Sequence, residues 1–555
     1  VTGSWDETAD VVVVGFGAAG ACAAIEAADA GARVLVLDRF TGGGATAISG
    51  GVVYAGGGTA QQREAGIADT PQAMYDYLRE EVGDTVSSAT LHRFCDQSAD
   101  MLDWLAASGV PFDARLCPYK TSYPTNRHYL YYSGSEQSFA DPAPRGHRVH
   151  ARGTSGRTLY RRLAASARDR GVVVRAQTGA DRLITDPDGR VIGVEARTLR
   201  GAAAWAHRVL HRWSVKPGGY LPALGRALHR SVAGLERRYG RPLRIGAGRA
   251  VVLAAGGFVF NRAMTREHAP DYRGGLRLGT PGDDGSGIRL GVEAGAATAH
   301  LDRMTIWRFL SPPSAMLGGL LVDRDGRRVC DESRYGAAVG EAILRSPDAR
   351  AWLLLDAAVL AECRRQIRSQ TLWFQRWQIR WLLATARVTA ATPEQAAHRA
   401  GVDPAGLSAT LAAYRAGVPP APAESPAPAG TPAPAGETRA PAEGPRDPAG
   451  KPRHLVRALT DPPYTLIDVS VRNRTAVPAP MLTLGGLRVG EETGQVLGAG
   501  GEPVPGLYAA GRTAVGICSR SYVSGLSLAD CVFSGRRAGR HAAIPDRGGL
   551  HAHRG

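Results

Sequence analysis

The stretch that most constrains this chain is Ala9-Asp10-Val11-Val12-Val13-Val14-Gly15-Phe16-Gly17-Ala18-Ala19-Gly20. Four consecutive β-branched valines read as a strand buried on both faces, the pattern of a parallel sheet. The last six residues fit G-x-G-x-x-G, and an alanine-rich helical run follows from Ala21 to about Ala30. The three glycines serve different ends. Gly15 makes the tight turn, Gly17 lets a pyrophosphate approach, and Gly20 packs helix on strand. The phosphates would rest at the helix N-terminus, where unpaired N–H groups and the dipole favour anions. A second strand, Arg33-Val34-Leu35-Val36-Leu37, ends at Asp38, where an acid that holds a ribose belongs. Strand, glycines, helix, strand and acid in this order predict a dinucleotide site rather than a merely glycine-rich turn.

Thr41-Gly42-Gly43-Gly44-Ala45-Thr46-Ala47-Ile48-Ser49-Gly50-Gly51 decides which dinucleotide. A second glycine-rich loop so soon after the acid is not needed by a domain that binds NAD alone. It suits FAD, whose flavin end must pass the same sheet. Val251-Val252-Leu253-Ala254-Ala255-Gly256-Gly257-Phe258 and Gly506-Leu507-Tyr508-Ala509-Ala510-Gly511 are each a hydrophobic strand ending in small residues. Small residues are required where backbone passes close to a cofactor. The cofactor-binding unit is therefore expected to be assembled from distant parts of the chain.

A chain of 555 residues suits two or more domains and can bury a large core. No run approaches the length of a transmembrane helix, and Val1-Thr2-Gly3-Ser4-Trp5-Asp6 lacks a signal-peptide layout. The seven cysteines are scattered with no C-x-x-C, so neither a metal site nor a disulfide framework is expected and a reducing cytoplasm is the simplest location. The excess of 67 Lys+Arg over 51 Asp+Glu, a net +16, raises the question of nucleic acid or an anionic membrane. Arginine, alanine and glycine are heavy throughout, no nucleic-acid motif accompanies them, and no nucleic-acid partner is expected.

Helical periodicity is expected over about 71–108, a helix from Leu159 to about Arg170, a strand at Val172-Val173-Val174 and a hairpin over 183–194 turning at Asp188-Gly189. Tyr119, Tyr123, Tyr129, Tyr131 and Tyr132 form an aromatic run that either lines a pocket for an apolar substrate or packs a surface loop. Residues 201–245 read as a basic helical insertion containing Trp205 and Trp213. Trp373, Trp377 and Trp381 make a stripe at i, i+4, i+8, interleaved with Arg376 and Arg380. Such a stripe is more often core, and peripheral contact with an anionic membrane is the alternative. Residues 418–446 are Pro/Ala-rich, cannot hold a core, and read as an extended disordered insertion.

Met481-Leu482-Thr483-Leu484-Gly485-Gly486-Leu487 and Pro505-Gly506-Leu507-Tyr508-Ala509-Ala510-Gly511 resemble the fumarate reductase/3-ketosteroid dehydrogenase superfamily of FAD enzymes. Ser521-Tyr522-Val523-Ser524-Gly525-Leu526-Ser527-Leu528-Ala529-Asp530-Cys531 and Gly50-Gly51-Val52-Val53-Tyr54-Ala55-Gly56-Gly57-Gly58 more specifically resemble the 3-oxo-5α-steroid 4-dehydrogenases. The resemblance implies an α/β fold in which a Rossmann-type FAD-binding domain, a parallel sheet flanked by helices, is interrupted by an α+β catalytic domain. Residues 1–300 and 485–555 would form the first, and 301–484 the second.

It implies cofactor contacts from Gly15, Gly17, Ala18, Ala19, Gly20, Asp38 and Arg39, then Gly44, Ala45, Thr46, Ser49, Gly50 and Gly51. Further contacts are expected at Ala255, Gly256, Asp284, Gly511, Leu526, Ser527 and Leu528. No histidine stands in Ala45-Thr46-Ala47 for a flavin link, so the FAD is expected to be noncovalent. Arg512 follows Gly511 where fumarate reductases carry a glutamate.

Tyr335, in Cys330-Asp331-Glu332-Ser333-Arg334-Tyr335-Gly336, takes the position of an active-site tyrosine. Desaturation beside a ketone needs carbonyl polarisation, a base at the α-carbon and a hydride acceptor at the β-carbon. The implied roles are Tyr522 as donor to the ketone, aided by a backbone N–H near Leu526, and Ser524 as base through a relay with Tyr335. The implied partners are an apolar saturated ketone, a 3-ketosteroid or similar polycycle, and an electron acceptor not identified by the sequence. A 3-ketosteroid 1-dehydrogenase or other cyclic-ketone desaturase, a fumarate reductase-like enzyme, and a flavin-binding membrane-surface protein are the alternatives.

Overall fold

The computed structural model describes residues 4–216, 221–272, 274–417, 447–471 and 479–545. Its organising element is an eight-stranded sheet among the described residues. The chain enters through β1 (Glu7–Val14), crosses over by α1 (Ala18–Asp29), and returns in β2 (Val34–Asp38). It then adds β3 (Val173–Ala176), β4 (Thr178–Thr185) and β5 (Val191–Thr198). Two helices, α2 (Gly201–Val215) and α3 (Pro222–Tyr239), precede the long β6 (Arg241–Leu253). Much later, after α4 (Trp373–Thr385), the sheet is completed by β7 (Gln495–Leu497) and β8 (Pro503–Ala509), and α5 (Leu526–Ala542) closes over it.

The strand order β7-β8-β6-β1-β2-β3 puts β1 in the interior, where its valines are wholly buried. The pairs β8–β6, β6–β1, β1–β2 and β2–β3 are parallel, while β4–β5, β5–β6 and β7–β8 are antiparallel. Register matters more than order here. Val14 stands opposite Leu253, and Leu253 opposite Ala509, so three parallel strands end level. Ligands in such sheets bind beyond the carboxyl ends of the strands. Gly15, Ala254 and Ala510 therefore meet at one edge although they are hundreds of residues apart.

The contact between α1 and α5 is built from small residues. A Cβ on Gly535 would come 2.5 Å from Ala19 O, and one on Gly539 would come 2.2 Å from Ala23 O. Glu26 on α1 binds Arg536 and Arg540 on α5. A second core gathers around a four-stranded antiparallel sheet of Leu320–Val322, Trp352–Leu355, Tyr464–Asp468 and Arg387–Ala390.

The helices expected over 71–108 are Pro71–Val82, Ser88–Asp96 and Ser98–Ala107, and the 183–194 hairpin turns at Gly189 with φ +81°. Two readings need correction. Residues 241–245 are not helical but begin β6, because they pair with β5. The tryptophan stripe is not core: Trp373, Trp377 and Trp381 are 73%, 71% and 54% exposed. The opposite face of α4, with Gln375, Ile379 and Leu382, is the buried one. The expected 418–446 insertion lies outside the described residues.

Candidate active site

A cavity of about 2410 Å³ runs along the carboxyl edge of the large sheet and continues toward the second core. Its nucleotide end is made of backbone. Gly15 has φ +103°, and a Cβ there would meet Ala254 O at 2.5 Å. Gly20 fits still more tightly, with a Cβ 1.9 Å from Gly15 O, which locks α1 onto the turn. Gly17 caps α1 without a side-chain bond, while the Ala18 N–H donates to Thr46 Oγ1 at 3.0 Å. Asp38 joins both glycine loops by accepting the Phe16 N–H at 2.9 Å, the Phe40 N–H at 2.8 Å and the Gly42 N–H at 3.0 Å. Burial raises its carboxyl above the ordinary carboxylate value, against these three amides.

Further along, Gly256, Asp283 and Arg512 meet. Arg512 Nη2 lies 2.5 Å from Asp283 Oδ1. Its Nη1 is buried with no acceptor among the described residues. Both residues line the cavity. A glycine cradle, a helix N-terminus and an orphaned cationic donor along one wall fit a long anionic dinucleotide with polar ring oxygens.

The far end is made of side chains. Tyr335 starts the helix Gly336–Arg345, and its N–H donates to Ser135 Oγ at 3.1 Å. The preceding loop is fixed by Glu332, wholly buried, which takes Arg328 at 2.7 Å and Lys451 at 3.1 Å. Tyr522 lies against Tyr335, the two rings 6.4 Å apart and 25° from parallel, with Trp307 edge-on to Tyr522 at 4.9 Å. Ser524 lies 3.5 Å, Oγ to hydroxyl, from Tyr131, which is fully buried. Gly525, at φ +87°, then turns the chain into α5, and its carbonyl accepts the Tyr54 N–H at 3.2 Å. Burial pushes the phenols of Tyr335 and Tyr522 up: Tyr335 with a further rise from Tyr522 and a fall from Ser524, and Tyr522 with a fall from Arg512. Both therefore stay protonated and able to donate at neutral pH.

Most expected cofactor residues line this one cavity: Gly15, Gly17, Ala18, Ala19, Asp38, Arg39, Gly44, Ala45, Thr46, Ser49, Gly50, Gly51, Ala255, Gly256, Asp284, Gly511, Ser527 and Leu528. Tyr335, Tyr522 and Ser524 line it too. Gly20 and Leu526 do not; both are packing residues behind the wall. The Leu526 N–H is moreover spent on Val523 O at 3.0 Å, so it is not a free donor for a ketone. Asp284 binds Arg39 at 2.7 Å, while its neighbour Asp283 sits beside Gly256. Of the aromatic run, Tyr123 lines the cavity and donates to Gly50 O at 2.7 Å; Tyr131 lies beneath Ser524. Sequence reasoning gave Asp283 and Arg512 no site role, and it left Tyr131 between lining a pocket and packing a loop, with the tyrosine run as its signal.

Residues 10–525 match the family described as FAD binding domain. The chain belongs to this FAD-binding family. The flavoprotein is 35% identical over 526 residues to a 3-oxo-5-alpha-steroid 4-dehydrogenase of Comamonas testosteroni, covering 91% of this chain and 93% of that protein. It is 24% identical over 547 residues to a probable fumarate reductase of Shewanella frigidimarina, covering 97% and 75%. Among solved structures it resembles the 3-ketosteroid-delta4-(5alpha)-dehydrogenase of Rhodococcus jostii RHA1, crystallised with 4-androstene-3,17-dione. The TM-score is 0.78 and the identity 29%, over 98% of this chain and 99% of that one. No helix among the described residues of this flavoprotein is long and apolar enough to cross a membrane.

Proposed function

We propose that this FAD-dependent oxidoreductase desaturates a saturated 3-keto-5α-steroid, or a similar polycyclic ketone, between C4 and C5. The observation that carries the reading is the meeting of Tyr522, Ser524 and Tyr335 at the far end of the dinucleotide cavity, seen with the 4-dehydrogenase relatives. FAD, when bound, supplies a hydride acceptor for C5. Tyr522, kept protonated by burial, donates to the ketone oxygen and stabilises the negative charge that develops there. Ser524 removes the C4 proton. A serine hydroxyl is a weak base, so its own proton must move on: Tyr335 takes it at its phenol oxygen while passing its own phenolic proton onward into the cavity that it lines. Gly15, Gly17, Thr46 and Asp38 hold the nucleotide end through backbone and short side chains, and the FAD is noncovalent.

Anaerobic mixing with a saturated 3-keto-5α-steroid tests this. Bound flavin should bleach, and the product should carry the new double bond at C4–C5. A double bond at C1–C2 would make the enzyme a 1-dehydrogenase instead; no bleaching would remove steroid desaturation altogether. Yellow colour that stays with acid-precipitated protein would contradict a noncovalent cofactor.

The exposed Trp373, Trp377 and Trp381 favour a second reading: α4 rests on an anionic bilayer from which the apolar ketone is drawn. Arg380 of that helix shares a small surface pocket with Arg364, Arg365 and Arg368 of the preceding helix, and the tryptophans border the main cavity. Binding to anionic but not neutral vesicles, weakened by salt, is expected; equal binding to both would remove the electrostatic part.

A further inference from the structure

The basic helical insertion plays no part in the reaction just described, yet its placement gives it a role. β5 and β6 are neighbours whose register pairs Thr198 with Arg241, so a two-residue turn could join them. The chain instead leaves for α2 and α3, which pack on each other and fold back over the nucleotide end of the cavity.

The hairpin grips the residues that follow the ribose acid. Glu236 on α3 takes Arg39 Nε and Nη2, each at 2.8 Å, and His207 Nε2 on α2 at 3.0 Å. Arg39 reaches Asp284 with its remaining amino group, at 2.7 Å. Its guanidinium is thus committed to anchoring rather than free for a phosphate. The Phe40 ring stacks on His211 of α2, centroids 3.7 Å apart and 13° from parallel. Gln177, at the end of β3, holds His207 Nδ1 at 3.2 Å. On the inner face, Arg208, Arg212 and Arg237 line the same cavity as Gly17 and Asp38. Arg212 and Arg237 have no ion-pair partner among the described residues.

We propose that the α2–α3 hairpin is a clasp over the adenosine diphosphate half of the cofactor, latched by Glu236 on Arg39 and His211 on Phe40, with the inner arginines facing the pyrophosphate. The clasp rests on the FAD reading. It explains why a noncovalent cofactor site that is otherwise backbone carries so much basic side chain on one wall. Glu236 is half-buried and held by both Arg39 and His207, so one carboxylate ties the segment after β2 to both helices of the hairpin.

Release of FAD from the holoenzyme, followed by recovery of free-flavin fluorescence after dilution, tests it. Glu236→Gln should release FAD about tenfold faster, equivalent to ~1.4 kcal/mol. Replacing everything between Thr198 and Arg241 with Asn-Gly should release it faster still. The melting temperature of the flavin-free protein should stay near wild type in Glu236→Gln. ADP, which carries only the clasped half, should bind Arg212→Ala/Arg237→Ala several-fold more weakly than wild type. Wild-type release rates in Glu236→Gln overturn the clasp. So does a flavin-free Glu236→Gln protein whose melting temperature falls as far as that of its holoprotein, since the hairpin would then be a general packing element. A wild-type protein that takes up no FAD would instead overturn the flavoprotein reading beneath it.

Discussion

The two ends of the cavity are built from opposite materials. At the nucleotide end the working groups are backbone amides and the spaces that glycine leaves, drawn largely from residues 15–20 and 38–51. At the ketone end they are side-chain hydroxyls, from Tyr335 and from Tyr522 and Ser524 in the loop before α5, with Tyr131 beneath Ser524. The nucleotide end binds an invariant ligand, which suits a fixed backbone cradle. On the proposed function the ketone end has to donate to one atom and deprotonate another, which needs placed side chains rather than shape alone. Damage to the first should therefore abolish cofactor binding, and damage to the second should leave a yellow, inactive protein.

The largest effect that separates the two is expected at Gly20. Gly20→Ala puts a methyl 1.9 Å from Gly15 O, backbone that cannot yield without moving the turn. Purified protein should be colourless or insoluble; a flavin-to-protein ratio equal to wild type would break the comparison. Next comes Tyr522→Phe, which should keep FAD and lose ~10²–10³ in the rate of anaerobic flavin reduction, the typical loss of one oxyanion donor. A wild-type rate would reject the assignment.

Ser524→Ala should also slow flavin reduction, with ketone binding largely kept, since its part is proton removal. Tyr335→Phe should resemble it, and the double variant should be little worse than either single one. Fully additive losses would reject the relay and leave the base standing.

The smallest effect sharpens the contrast through pH. Tyr54, Tyr77, Tyr131 and Tyr335 all have phenols raised by burial, and they pack near or under the ketone end. In the unfolded chain they ionise near pH ~10. Above that pH the unfolded state holds fewer protons than the native state, so stability falls as pH rises. Denaturant midpoints measured from about pH 8 to about pH 11 should decline only over the upper part of that range, above the unfolded value. A flat profile would mean that these phenols are solvated.

How much could be read in advance follows the same division. The nucleotide end was legible because its requirements are local: a buried strand, three spaced glycines and an acid at the next strand end follow one another closely along the chain. The ketone end was legible only through resemblance of Ser521–Cys531 and Cys330–Gly336 to a known family, since nothing local says that Tyr335 and Tyr522 stack. The tryptophan stripe misled because periodicity marks a face without saying which side of the helix meets solvent. Ile379 and Leu382 took the core, and the tryptophans stayed out.

By itself the sequence determined the dinucleotide turn, since a Cβ at Gly15 or Gly20 has nowhere to go. It also determined the parallel strands that lead there, because runs such as Val11–Val14 can be satisfied only when both faces are buried. Tertiary structure decided the rest. The register that ends β1, β6 and β8 level assembles one edge from three distant segments. The choice of Asp283 over Asp284 beside Gly256 turns on which carboxylate Arg512 and Arg39 reach. The fold of α2 and α3 back onto Arg39 and Phe40 rests on side-chain pairs that close only after β5 and β6 have met. Such contacts depend on angles and distances summed over long loops, and no spacing along the chain records them.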